Sequence, residues 1–250
     1  YTMNSKLLAV ATLGLTLTFL MPEAAHSDGG RTYKVTITNL TAGQPLTPPI
    51  LATHTNRTEF FTVGEAASEG IRQIAENGNG EVLLQALGED TQVHDVVAGA
   101  APLVPANNPG GTGFASSETF KITAKGRARY LSFASMLICT NDGFTGLDSV
   151  RLPRHRVTVY TAGYDARTEA NTEAFADIVP PCQGLIGVSG DPGTGMSNPL
   201  LAEDGVVIPH AGIHGGVDLV PSVHDWSDPV AKIEIERVRH HDYDDDSDSD

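Results

Sequence analysis

Short segments in which apolar and polar residues alternate recur along this chain of 250 residues, and this period of two constrains the fold more than any other feature. In the first segment, Tyr33, Val35 and Ile37 alternate with polar residues, as in a strand with one buried face. Further strands are predicted at residues 120–124, 129–139, 147–152, 156–160, 205–209 and 230–238. About seven or eight strands at irregular spacing, without a visible internal repeat, predict an all-β fold, an antiparallel β-sandwich.

Two short helices are predicted early in the chain. Between Glu65 and Asn77 the apolar side chains fall on one stripe, and Gly78 ends the pattern. A second helix is predicted at residues 82–87, between two glycines. Because the helices do not alternate regularly with strands, they are interpreted as insertions into the sandwich rather than as parts of βαβ units.

The N-terminal segment predicts export. An apolar run at residues 7–21 follows Lys6, and small residues come after it; the first two residues, ahead of the first methionine, are interpreted as a remnant. The run is shorter than the about 20 apolar residues of a transmembrane helix, so residues 1–27 predict a signal peptide cut before Asp28 or after Ala25. A retained anchor is the alternative. The mature chain is expected to be secreted, periplasmic or at the cell surface, without a transmembrane segment.

Export places Cys139 and Cys182, the two cysteines of the chain, in an oxidising compartment. An even pair of cysteines in a secreted protein favours a disulfide over a metal or catalytic site, and no CxxC motif is present. Closing a loop of this length stabilises the fold by about 3 to 4 kcal/mol where the geometry is unstrained.

Acidic residues outnumber basic residues by 31 to 16, which gives a formal net charge of -15. Because Lys and Arg supply the attraction to phosphates and to anionic lipid, this excess disfavours nucleic acid and anionic membranes as partners. Part of the acidity lies in residues 240–250, HHDYDDDSDSD, which are predicted to be a disordered tail. Residues 28–239 are predicted to form one domain.

Three carboxylates are predicted to converge at one end of a hairpin. The tetrapeptide at residues 152–155 carries proline at the second position of a tight turn. If this turn pairs the strands on either side of it, Asp142 and Asp165 lie opposite each other beyond the strands, with Glu169 close by. Clustered carboxylate and backbone oxygens are the ligands that Ca²⁺ prefers. Solvated loop carboxylates are the alternative, since no EF-hand pattern is present.

Four segments resemble the spondin N-terminal domain, in the form found in bacterial secreted proteins. They are YKVTITNLTAGQPLTPPILATH, NDGFTGLDSVRLP, GYDARTEANTE and HAGIHGGVDLVPSVHDWSDPVAKIEIERV, and the resemblance covers nearly all of residues 32–238. It implies a C2-like β-sandwich in an extracellular setting. It also implies adhesion to, or recognition of, a protein, glycan or glycolipid surface ligand rather than catalysis.

The resemblance also implies a metal site. Carried over by position, the ligands of one structural Ca²⁺ are Asp142, Asp165 and Glu169, with the backbone carbonyl of Ala166. The chain departs from the family motif twice. Arg167 stands where the motif has glycine, and Glu169 is longer than the aspartate of the motif.

A second hypothesis is an exported metal-dependent enzyme. His210 and His214 are candidate Zn²⁺ or Cu²⁺ ligands, with His224 or Asp225 as the third. Glycine and proline in this stretch disfavour the helix that would place the two histidines one turn apart, and the HExxH motif is absent. A structural component of a cell surface or matrix, which would bind cations nonspecifically, is the third hypothesis.

Overall fold

The computed structural model describes residues 29–239, which form two antiparallel sheets packed face to face. The predicted signal peptide and acidic tail lie outside the described residues. The strands are β1 (Arg31–Asn39), β2 (Ile50–His54), β3 (Val93–Ala98), β4 (Ser117–Ala124), β5 (Tyr130–Met136), β6 (Gly143–Arg151), β7 (Arg156–Thr161), β8 (Gly163–Asp165), β9 (Ile208–Pro209) and β10 (Ala231–Arg237). The helices are α1 (Glu69–Asn77), α2 (Glu81–Glu89), α3 (Pro181–Ile186) and α4 (Pro221–His224), with a 3-10 turn at Phe175–Asp177.

One sheet has four strands in the order β4-β1-β10-β7, and the other has six in the order β3-β2-β5-β6-β8-β9. The predicted all-β antiparallel sandwich is therefore confirmed. Within residues 29–239 no helix is both long enough and apolar enough to cross a bilayer.

Two apolar clusters hold the layers together. One lies between the sheets and includes Val35, Phe133 and Ile233. The other lies on the opposite face of the six-stranded sheet, beneath α1 and α3, and includes Ile71 and Phe144. Because the six-stranded sheet is covered on both faces, the residues of its central strands β2 and β5 are nearly all buried. A strand buried on both faces lacks the period of two. The long apolar run at residues 129–139 still predicted β5, whereas the five-residue β2 was not predicted.

The first predicted helix is confirmed, although it begins later than predicted. The side chain of Ser68 accepts a hydrogen bond from the Ile71 N–H, so α1 starts at Glu69 rather than at Glu65. It ends where predicted, because Gly78 has a left-handed backbone with φ of 64°.

The predicted pairing of the strands on either side of residues 152–155 is wrong. Strand β6 pairs with β8 in the six-stranded sheet, whereas β7 pairs with β10 at the edge of the four-stranded sheet. The turn therefore carries the chain from one sheet to the other. Burial explains the separation: residues 143–147 are buried on both faces, but β7 alternates between exposed and half-buried residues up to residue 160.

Candidate metal centre

A disulfide anchors the segment that leads into the candidate site. Cys139 and Cys182 are bonded, with 5.1 Å between their Cα atoms, so the predicted disulfide is confirmed. The side chain of Gln44 holds the backbone of Cys139 on both sides, since its Oε1 accepts from the Cys139 N–H at 3.1 Å and its Nε2 donates to the Cys139 carbonyl at 3.2 Å. The chain just ahead of Asp142 is thereby tied both to α3 and to the loop before β2.

The structure brings Asp142 and Asp165 together through β8 rather than through the predicted hairpin. Gly143 at the start of β6 pairs with Asp165 at the end of β8. The N–H of Ala166 donates to the carbonyl of Asp142 at 3.1 Å. Both aspartates are buried, with exposed fractions of 0% and 3%.

The two carboxylate oxygens of Asp142 have different surroundings. Oδ2 accepts the N–H groups of Thr168 and Glu169 at 2.8 and 2.9 Å. Oδ1 is buried and has no hydrogen-bond partner among the described residues. Burial is the largest cause that raises the pKa of Asp142, and the charge of Asp165 adds to it, so the pKa reaches about 7. A buried acceptor without a partner is destabilising by about 1 to 3 kcal/mol, so this oxygen is suited to a cation.

Asp165 shapes the loop that follows it. Its Oδ1 accepts the Arg167 N–H at 2.7 Å, and its Oδ2 accepts from the Asn171 side chain at 2.9 Å. Arg167 has a φ of 55°, in the left-handed region that favours glycine. This conformation gives a physical reason why the family motif carries glycine at this position. The Arg167 guanidinium pairs with Glu203 at 3.1 Å.

Glu169 contacts Asp142 through its backbone N–H, while its side chain lies near two other acids, Glu76 and Asp177. The Asn198 N–H donates to Glu169 Oε1 at 3.0 Å. The pKa of Glu169 is raised to about 7, chiefly by burial and in addition by the carboxylates of Glu76 and Asp177. Ala166 is fully buried beside Asp142.

Of the histidines of the second hypothesis, His210 and His214 lie on a loop after β9 without a helix between them, and His224 is the last residue of α4. His210 is half-buried, and its Nδ1 accepts the Gly212 N–H at 3.0 Å. His214 is exposed, with its Nδ1 3.8 Å from a Glu173 carboxylate oxygen. His224 Nδ1 accepts the backbone N–H of Val220 at 2.8 Å.

No group of three or more His, Cys, Asp or Glu side chains is arranged to hold a metal ion anywhere in residues 29–239. A zinc or copper centre built on His210 needs three such ligands and so lacks support. For Ca²⁺ the requirement differs, because backbone carbonyls and water are ordinary ligands. Asp142 and Asp165 fit this donor set, whereas the Glu169 carboxylate is engaged elsewhere.

Sequence reasoning missed several residues that hold these loops. Asn171 lies six positions after Asp165, within the segment already singled out, and its amide is a signal that could have been used. Asn198, Glu76 and Asp177 carry no such signal, because only the folded chain brings them to Glu169.

The family model Spondin_N matches residues 41–170, which are 130 of the 250 residues. The chain belongs to the spondin N-terminal domain family. The match includes Asp142, Asp165 and Glu169, and it also includes Cys139 but stops before Cys182. Spondin domains are not a known enzyme family, and the family and the disulfide together are typical of extracellular proteins. No curated protein matches this chain.

Proposed function

We propose that this spondin domain is exported, binds one structural Ca²⁺, and serves in recognition or adhesion rather than in catalysis. The proposed ligands are Asp142 and Asp165, with the backbone carbonyl of Ala166. Glu169, the remaining ligand predicted from the family motif, would join them only if its side chain left Asn198. The observation that supports the proposal most is the buried Asp142 Oδ1, which has no hydrogen-bond partner among the described residues and lies beside a second buried aspartate.

The electrostatics of the two aspartates favour a cation. Neither Asp142 nor Asp165 forms an ion pair with a basic residue of the described chain. Two carboxylates that are buried together without a positive charge repel each other when both are ionised. A bound divalent cation supplies that charge and holds both groups in their ionised form.

Calcium would act on the loops rather than on a substrate. Asp142 already holds the backbone of Thr168 and Glu169, and Asp165 holds that of Arg167. A cation between the aspartates therefore stabilises residues 165–171 and the segment after Cys139 together. These loops would present a surface to the recognised ligand, a protein or a glycan or glycolipid.

A thermal shift experiment on the purified protein tests the site. Tm is expected to be higher in Ca²⁺ than in chelator, because a ligand that binds only the folded state stabilises it by mass action. The increase is expected to saturate as the Ca²⁺ concentration rises. Mg²⁺, which demands stricter octahedral geometry, is expected to act more weakly. Asp142→Asn is expected to remove most of the calcium response, and Asp204→Asn, an exposed acid outside the site, is the matched control.

Three results would contradict the calcium proposal. They are an unchanged Tm of the wild type in Ca²⁺, an equal response in Asp142→Asn and the wild type, or a response that does not saturate. The last result would favour nonspecific binding by an acidic surface component. Elemental analysis of the purified protein distinguishes the calcium proposal from the hypothesis of a metal-dependent enzyme. Stoichiometric zinc or copper would support the enzyme hypothesis instead.

A further inference from the structure

Arginines line a cavity of about 450 Å³ at the end of the sandwich opposite the candidate metal centre. The guanidinium groups belong to Arg31, Arg129, Arg151, Arg154 and Arg237, and the buried Tyr33 lies among them. These are five of the sixteen lysines and arginines of the chain. A protein with a net charge of -15 thus gathers almost a third of its positive charge in one cavity.

Both sheets contribute to this cavity. Arg31 begins β1 and Arg237 ends β10, and Arg237 is the ladder partner of Tyr33. In the six-stranded sheet, Arg151 at the end of β6 is opposite Tyr130, the neighbour of Arg129. The arginines are therefore placed by strand ends that meet where the chain crosses from β6 to β7.

That crossing turn closes the cavity. The N–H of Leu152 donates to the carbonyl of Arg129 at 2.8 Å, and the N–H of Arg237 donates to the carbonyl of His155 at 2.7 Å. Arg154 lies in the turn between these two anchored residues. The turn is thereby hydrogen-bonded to both sheets, which gives the arginines a defined backbone geometry.

The positive charge of the cavity is not balanced by nearby acids. Within residues 29–239 none of the five arginines forms an ion pair with a carboxylate, and no acidic residue lines the cavity. Arg31 Nε is buried and has no hydrogen-bond partner among the described residues. A buried donor without a partner destabilises the folded state, and an acceptor on a bound ligand would remove that destabilisation.

We propose that this cavity binds a compact organic anion that carries two or more phosphate or sulfate groups. Guanidinium groups match tetrahedral oxyanions through paired N–H donors, and charge-assisted hydrogen bonds of this kind are strong. The volume exceeds that of one inorganic anion, and Tyr33, Leu152 and Pro153 add apolar wall for the body of the ligand.

The shape and the overall charge favour a compact ligand over a long polyanion. Nucleic acids and anionic bilayers are bound by extended basic surfaces, whereas this positive charge lies in a single concavity. The net charge of -15 repels an extended anion outside the cavity. The site does not depend on the proposed calcium site, because the length of β6 separates the two by about 26 Å at about 3.3 Å per residue.

Isothermal titration calorimetry of the full chain, in chelator and at low ionic strength, tests the proposal. The phosphate probe is inositol hexakisphosphate and the sulfate probe is sucrose octasulfate; inorganic phosphate and sulfate are the single-anion controls. Saturable one-site binding is expected for at least one probe. The probe that binds more tightly shows whether the natural ligand carries phosphate or sulfate groups. Binding of the single anions is expected to be at least about tenfold weaker, since they form fewer charge-assisted bonds.

Two variants with the same change in charge separate the cavity from bulk electrostatics. Arg151→Glu is expected to weaken binding of the preferred probe at least about tenfold, and Arg57→Glu, an exposed arginine outside the cavity, by less than about twofold. Arg151→Gln is the conservative second variant and is expected to weaken binding in the same direction. Circular dichroism spectra show that each variant is folded.

Several outcomes would overturn the proposal. They include no binding of either probe, equal weakening by Arg151→Glu and Arg57→Glu, and equal affinity for single and multivalent anions. Binding of duplex DNA or of anionic vesicles in preference to both probes would also overturn it. Binding that appears only after the six aspartates in residues 242–250 are changed to asparagine would identify the chain's own acidic segment as the occupant and so reject an external ligand.

Discussion

The two ends of strand β6 carry opposite charges in opposite environments. At its start Asp142 is buried beside Asp165, and the segment before it is tied down by a disulfide. At its end Arg151 is exposed, on the rim of a cavity that contains four other arginines. A buried charge affects stability because it loses hydration, whereas an exposed charge keeps its water until a ligand replaces it. We therefore expect changes at the acidic end to alter folding and changes at the basic end to alter binding.

The largest expected effect is the pH dependence of the acidic end in the absence of metal. The pKa of Asp142 rises from 3.8 to about 7 in the folded protein, so the folded state holds an extra proton between these values. Its contribution to stability is fully present below pH 4 and is lost as the pH rises through 7. The free energy of unfolding in chelator is expected to fall by as much as about 4 kcal/mol from pH 4 to pH 8.

Urea unfolding at several pH values in this range measures the effect. Glu169 contributes in the same direction, because its pKa is also raised. Asp142→Asn is expected to reduce the slope to the part that Glu169 contributes, and saturating Ca²⁺ is expected to remove the part that Asp142 contributes. A slope that is the same in Asp142→Asn and the wild type would show that the acidic end is not the source.

The disulfide has the next largest expected effect. The bond between Cys139 and Cys182 closes a loop of 43 residues in sequence separation, and its loss is expected to destabilise the fold by about 3 to 4 kcal/mol. Urea unfolding with and without reductant measures this, with the double serine variant as a control that reductant does not affect. If reduction leaves the calcium response intact, the tether is not needed to hold the acidic end.

A direct comparison of alanine substitutions at the two ends of β6 comes next. At pH 5, Asp142→Ala leaves the N–H groups of Thr168 and Glu169 without an acceptor, and we expect a loss of about 2 to 3 kcal/mol. Arg151→Ala is expected to change stability by less than about 0.5 kcal/mol. If urea unfolding shows that Asp142→Ala and Arg151→Ala lower the free energy of unfolding equally, the acidic end does not affect folding more than the basic end does.

The smallest expected effect concerns Arg167 in its left-handed conformation. Arg167→Gly removes the backbone strain of a non-glycine residue at φ 55°, and it also removes the exposed ion pair with Glu203. A net stabilisation of at most about 1 kcal/mol is expected by urea unfolding. Glu203→Ala removes the ion pair alone, so the difference between the two variants gives the strain. A net loss in Arg167→Gly that exceeds the loss in Glu203→Ala would show that the arginine contributes more than its ion pair.

Alternation predicted β1 and β10 and a long apolar run predicted the buried β5, but β2 and β3 were not predicted. The alternation in β1 and β10 and the glycine that ends α1 are local signals, and each was confirmed. Strand β2 has only five residues, is buried throughout and lacks alternation, so it was not predicted. The turn after β6 was recognised, but its strands pair in different sheets because burial rather than turn geometry decides the pairing.

The candidate metal centre was only partly predictable. Asp142, Asp165 and Glu169 were singled out together, and the first two are buried side by side in the fold. The side-chain direction of Glu169 was not predictable, because Asn198 reaches it from a distant loop.

The basic cavity was not predictable at all. Its arginines are spread from residue 31 to residue 237, with no motif that links them. The net charge of -15 also argued against an anionic ligand. Only the meeting of strand ends from two sheets brings them together.

The sequence by itself determined the all-β class, the disulfide pair, the family and the identity of the acidic cluster, because each of these depends on local patterns or on residue types. Tertiary structure alone decided which strands share a sheet, where each carboxylate points and that five arginines face one cavity. Those properties depend on contacts between residues that are far apart in the chain, and burial selects such contacts only when the whole core forms.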